Sequence, residues 1–345
     1  VLTVAILATL AGCGRKPPRF VPAGSDSTQA VTADSFAIYV GQALERWEAD
    51  PSGAAASTAR LLLDDLRRHP DRRLADRART FLDSCGFSGE VAGGVDLAAV
   101  NFFARSDPTG GSWPWLLWRD GGAIRGQNVQ GGGMRLLDLA LRPGDAGGAE
   151  PQQAAAIFAR SSNRGQQPVV IVWRRAASGQ WSLAQTLGSD SLGGTGVVEF
   201  VALAGGATGL EARTYRPTPG FDECPTCPHI HKTLTFAWPA SGFQKTAEEA
   251  APSPYRSFVS LISAMAVNDE DMAMRVLSDR YLLESAQRFE WGANKGPWRV
   301  APGTDESASE MTFFRGRREA YRIRFVAREG QWQITDIQPT QRTVE

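Results

Sequence analysis

Two stretches of the chain, "FFARSDPTGGSWPWLLWRD" (102–120) and "IFARSSNRGQQPVVIVWRR" (157–175), share "FARS" followed at one offset by a Trp-Arg pair. Phe103 precedes Trp118 as Phe158 precedes Trp173, so the copies lie 55 residues apart. A shared period means that one supersecondary unit is used more than once. Short apolar runs split by glycine-rich turns make that unit β: a strand, a polar loop, a Trp-containing strand, a Gly turn and a strand. A weaker third copy is read with "FVALAGG" (200–206) as its first strand and "LTFAWPASGF" (234–243) as its second. Three units are fewer than the roughly four to eight blades of a closed propeller. An antiparallel β region with repeats of about 50–55 residues is therefore expected over 95–248, as a meandering sheet or a sandwich.

The segments on either side have helical periodicity. In "SFAIYVGQALERWE" (35–48), Phe36, Tyr39, Val40, Ala43, Leu44 and Trp47 recur at helical spacing. "AASTARLLLDDLRRHP" (55–70) and "DRRLADRARTFLDSCG" (71–86) read as two more amphipathic helices, with Leu61, Leu62, Leu63, Leu66 and Leu74 as core. Pro70 separates them, Asp71 is the expected N-cap, Gly86 the stop, and His69 a helix-end residue. This defines a short helical region over 34–90.

After "EEAAPSP" (248–254) the grammar changes again. "SPYRSFVSLISAMAVNDEDMAMRVLSDRYL" (253–282) reads as two helices punctuated by "NDED". "SEMTFFRGR" (309–317), "EAYRIRFVARE" (319–329) and "QWQITDIQ" (331–338) read as strands. Tyr321, Ile323 and Phe325 alternate with Arg322 and Arg324, as a half-exposed strand requires. Helices followed by an antiparallel meander ending in "GQWQITDIQ" resemble the NTF2-like α+β superfamily. That resemblance implies helices packed into a curved sheet over 252–340, presenting a concave binding surface. Enzymes of that superfamily usually place His or Asp in the cone, and this segment contains no histidine. The expected fold class is thus α+β and multidomain, with a helical N-terminal region, a β-repeat domain and an NTF2-like C-terminal domain.

The opening residues "VLTVAILATLAGCG" join an apolar run of signal-peptide length to "LAGC". They resemble the bacterial lipobox, with 1–12 as signal peptide, Cys13 as the acylated residue and 13–33 as a flexible tether. The resemblance implies an extracytoplasmic protein of the bacterial cell envelope, held by membrane lipid through acylated Cys13. Gly14 after the cysteine resembles the Gram-negative sorting pattern for the outer membrane. No later segment offers the roughly 20 apolar residues of a spanning helix.

Thirty-seven basic residues balance 37 acidic ones, which argues against nucleic acid as a partner. Nucleophile-elbow, zincin, Walker A, dinucleotide and EF-hand signatures are all missing from the sequence. No catalytic residue and no cofactor is expected, and the partner is expected to be a small ligand or an envelope protein. Trp113 and Trp115 could line a platform for a carbohydrate or peptide, but "WPWLLW" reads first as sheet core and rim.

The stretch "ECPTCPHIH" (223–231) holds two of four cysteines and two of three histidines, in the loop between the strands of the third copy. Cys224, Cys227, His229 and His231 are zinc- or copper-ligand types, which defines one reading, a metal site. Thiol–disulfide exchange by C-x-x-C is another. Outside the cytoplasm a structural Cys224–Cys227 disulfide is the expectation, with His229 and His231 as exposed polar positions and Cys85 as a lone thiol.

Overall fold

The computed structural model describes residues 33–129, 133–143, 151–316 and 318–340. Cys13, the apolar run 1–12 and the tether to residue 32 lie outside the described residues. The described chain is α+β, with small antiparallel sheets and few helices.

Three helices come first: α1 (Ala33–Ala49), α2 (Pro51–Arg68) and α3 (Leu74–Cys85). Asp50 caps α2 by accepting from the Gly53 amide. Asp71 does not cap α3, which starts only at Leu74. The Leu74 and Ala75 amides donate instead to the carbonyls of Val95 and Gly94, so backbone from the first sheet does the capping. Gly86 ends α3 at φ 76°, a left-handed position that suits glycine. On α1 the buried stripe is Ala43 and Trp47, while Tyr39 and Leu44 are exposed.

Three four-stranded meanders follow. The first comprises β1 (Gly89–Gly93), β2 (Leu97–Ala104), β3 (Asp107–Asp120) and β4 (Ala123–Asn128). The second comprises β5 (Arg135–Pro143), β6 (Pro151–Ser162), β7 (Gly165–Arg175) and β8 (Trp181–Leu187). The third comprises β9 (Thr195–Ala202), β10 (Thr208–Tyr215), β11 (Lys232–Ala237) and β12 (Gln244–Ala250). Each repeat unit therefore has one strand more than expected. In the third copy residues 200–202 end the outer strand β9, and the partner of the Trp-side strand β11 is β10. The sequence of β10, "TGLEARTY", carries charges at alternate positions and does not read as an apolar run.

Alternation along each strand shows how the sheets stack. On β2, Ala98, Val100 and Phe102 pack on the helices, whereas Leu97 and Ala99 pack on the second sheet. On β6, Ala154, Ala156 and Phe158 face the first sheet, and Ala155 and Ile157 face the third. The order of layers is helices, first sheet, second sheet, third sheet. Trp118 and Trp173, the repeated tryptophans, both lie in the core between the first two sheets. Those two units thus meet face to face about a shared core. Strands buried on both faces need apolar residues throughout, which explains why 154–158 reads "AAAIF".

The C-terminal region has three helices where two were expected: α4 (Pro254–Val267), α5 (Glu270–Met274) and α6 (Arg280–Arg288). They pack against β13 (Trp298–Val300), β14 (Glu310–Arg315), β15 (Glu319–Arg328) and β16 (Gln331–Thr340), paired in that order. Its interior is aromatic, with Phe258 stacked on Phe313 at 3.7 Å and Trp291, Trp298 and Tyr321 around them. The Arg315 guanidinium is buried, donating to the carbonyls of Phe289 and Glu290 at the end of α6 while sitting over Trp298.

The alanines of β6 let the sheets approach closely. Ala156→Leu, at a fully buried position, should overpack the core between the first two sheets and cost about 1–3 kcal/mol. Urea unfolding of the purified variant measures this.

Candidate functional site

In the first two sheets the hairpins turn through two residues, 105–106 and 163–164. In the third, the chain leaves β10 at Tyr215 and returns to β11 at Lys232, and the connector 216–231 fills the gap. This connector is not a free loop. It docks on the C-terminal sheet as a short parallel ladder beside β13: the Trp298 amide donates to the Gly220 carbonyl at 2.9 Å and the Asp222 amide to the Trp298 carbonyl at 2.8 Å. Arg299 pairs with Asp222 at 2.9 Å. The Phe221 ring meets Tyr255 and Phe258 edge-on.

Cys224 and Cys227 are joined in a disulfide that closes a tight turn, with the Cys227 amide donating to the Cys224 carbonyl. Cys227 is buried in the C-terminal core and Cys224 packs against it. Oxidised sulfurs are not thiolate ligands, so the four-residue metal set is not assembled in this state. Among the described residues, no group of three or more His, Cys, Asp and Glu is placed to hold a metal ion.

Glu223 is the polar centre of the connector. Its side chain is 4% exposed. It accepts from the Tyr255 hydroxyl at 2.6 Å and the Thr218 amide at 3.3 Å, and contacts His229 Nδ1 at 3.3 Å. Burial pushes this carboxyl up, but the hydrogen bonds from His229, Tyr255 and Thr218 outweigh it and hold the group below its ordinary value. An ionised carboxylate can only accept, so His229 carries its proton on Nδ1. The same charge, added to burial, pushes the Tyr255 hydroxyl up.

His229 is 6% exposed and stacks on Tyr215 with ring centroids 3.6 Å apart. The Tyr215 hydroxyl in turn donates to the Arg164 carbonyl, in the hairpin turn of the second sheet. His231 Nε2 lies 2.8 Å from Glu306 Oε1, and the other oxygen of Glu306 pairs with Arg213 at 3.5 Å. His229 is therefore buried and His231 half-buried, so neither is the exposed polar position expected. His229 Nε2 and His231 Nδ1 are left buried with no hydrogen-bond partner among the described residues. Both histidines line a cleft of about 160 Å³ with Arg213, Ser253, Glu306 and Trp332. Ser253 Oγ accepts from the Arg256 amide as the cap of α4, so it has a structural task there.

Other sequence candidates lie apart from this site. Trp113 packs edge-on against Trp47, and Trp115 packs on the same helical core, so neither forms a platform. Cys85 is half-buried at the end of α3, its thiol pushed up by burial. His69 ends α2 with Nδ1 at 2.9 Å from the Asp65 carbonyl. Glu223 stands inside the conspicuous stretch, next to Cys224, and only its company there could have marked it. Tyr215, Tyr255 and Glu306 carry no local signal, since each is up to 75 residues from its partner in the chain.

No family model matches the chain, and no match is found among curated proteins.

Because Glu223 is held below its ordinary value, its contribution to stability is full above the unfolded-state carboxyl range and is lost as pH falls through the folded-state value. Glu223→Gln should flatten the acid side of the stability profile in denaturant melts from pH 7 to pH 3, and Tyr255→Phe should cost about 1.5–3 kcal/mol at neutral pH. Replacing both Cys224 and Cys227 by serine should cost about 2 kcal/mol by chain-entropy reasoning for so short a loop. Urea melts of the oxidised and variant proteins check that value.

Proposed function

We propose that this chain is an extracytoplasmic bacterial lipoprotein, anchored by acylated Cys13, that binds a small ligand or scaffolds the cell envelope without catalysing a reaction. In this reading the chain is multidomain and 252–340 is an NTF2-like module. The observation that carries it is the Cys224–Cys227 disulfide, whose sulfurs pack on the C-terminal core. A disulfide used as internal support belongs to an oxidising compartment, the same side of the membrane that the lipobox resemblance implies.

Further support comes from how the titratable groups are used. Glu223, His229, His231 and Glu306 each hold a neighbour in place. Aromatic rings fill the inside of the C-terminal sheet, which leaves the cleft by His229 as the concave surface next to it. Among the described residues no helix is long and apolar enough to cross a membrane, and the anchor in this reading is lipid. One acyl chain gives only marginal attachment, so the several chains of a lipidated cysteine are needed.

Intact mass and thiol counting on protein extracted from membranes test the proposal. The expected result is acyl mass on Cys13, one labelled thiol at Cys85, and release of Cys13→Ser into the soluble fraction. Four labelled thiols, an unmodified Cys13 among them, would overturn it.

A further inference from the structure

Each histidine of the cleft is gripped on one nitrogen by a carboxylate. His229 offers Nδ1 to Glu223, and His231 offers Nε2 to Glu306. Donation to a carboxylate fixes the tautomer, so the opposite nitrogen keeps its lone pair. Those opposite nitrogens, His229 Nε2 and His231 Nδ1, are the two that are buried without a partner. A buried acceptor left unmet costs free energy unless something occupies it. A carboxylate behind an imidazole is the arrangement that orients histidines toward metal ions, and both histidines line the cleft.

We propose that His229 Nε2 and His231 Nδ1 bind one imidazole-preferring divalent transition-metal ion, with Cu(II) the tightest, in an open two-ligand site in this cleft. The site differs from a four-ligand Cys₂His₂ arrangement in leaving the Cys224–Cys227 disulfide intact. The spacing allows it. With metal–nitrogen bonds of about 2.0–2.1 Å, two imidazoles on one ion can have centroids up to about 6.5 Å apart. Here the centroids are 6.1 Å apart and the rings are nearly perpendicular, at 85°. Cu(II) is the tightest because affinity at a nitrogen site follows the Irving–Williams order. Water or a ligand in the cleft supplies the remaining positions, since no three-residue ligand group exists among the described residues. Glu223 and Glu306 act as positioning residues behind the ligands.

The chain has only one other histidine, His69 on α2, which serves as an internal control. Metal-stripped, oxidised full chain is titrated with Cu(II) and followed by calorimetry and by electron paramagnetic resonance. The expected result is saturable binding of one ion with nitrogen hyperfine structure, weakened at least tenfold by His229→Gln or His231→Gln and unchanged by His69→Gln. In the unaltered protein, substoichiometric Cu(II) should broaden the imidazole NMR signals of His229 and His231 and spare those of His69, a readout independent of how the variants fold. Absence of saturable binding, or binding that leaves the His229 and His231 signals sharp, would overturn the proposal.

Discussion

A single buried carboxylate organises the joint between the β-repeat sheets and the C-terminal helices. Glu223 has almost no access to water, and an ionised group in that position is tolerable only with its acceptor sites met. Its three partners come from two places: the Thr218 amide and the His229 ring of the connector, and the Tyr255 hydroxyl of α4. The connector therefore cannot leave the C-terminal core without exposing Phe221 and Cys227 and taking Glu223 away from the Tyr255 hydroxyl.

What lies on the other side of the joint is a stack of layers. The second sheet is apolar on both faces, and its alanines allow close approach to the sheets beside it. Because the third sheet is seated on the second, the 163–164 hairpin turn is brought within reach of Tyr215, whose hydroxyl takes the Arg164 carbonyl. Tyr215 then supports His229 by stacking. The position of one ring in the connector thus depends on sheet packing, hairpin length and a helix from a different region, and a change in any of these would be felt at His229.

Much of the architecture was legible in the chain itself. The 55-residue spacing of "FARS" and Trp-Arg marks the reuse of one unit, and the alternation of Tyr321, Ile323 and Phe325 with arginines marks β15. The glycine at 86 announced the end of α3. Other elements were hidden for physical reasons. β10 carries Glu211 and Arg213 on the face opposite the core it shares with the second sheet, so its pattern lacks a continuous apolar run. β13 spans three residues, too short to show alternation, and is held by the connector on one side and β14 on the other. The cap of α3 is backbone from residues 94–95, which no side-chain rule can find.

The sequence by itself determined that helices precede β units, that helices and an antiparallel meander follow, and that two cysteines three apart can close a turn in the loop between two strands of the third unit. These features are local, set by periodicity, turn residues and short chain distance. Only the tertiary structure decided that the loop is an interface, that its histidines are covered, and that Glu223 is their anchor. Those outcomes depend on Tyr215, Tyr255, Arg164 and Glu306, which lie far apart along the chain and meet only when the sheets have stacked. Contacts between distant residues leave no periodic trace, because they are fixed by the packing of whole layers and not by the residues beside them.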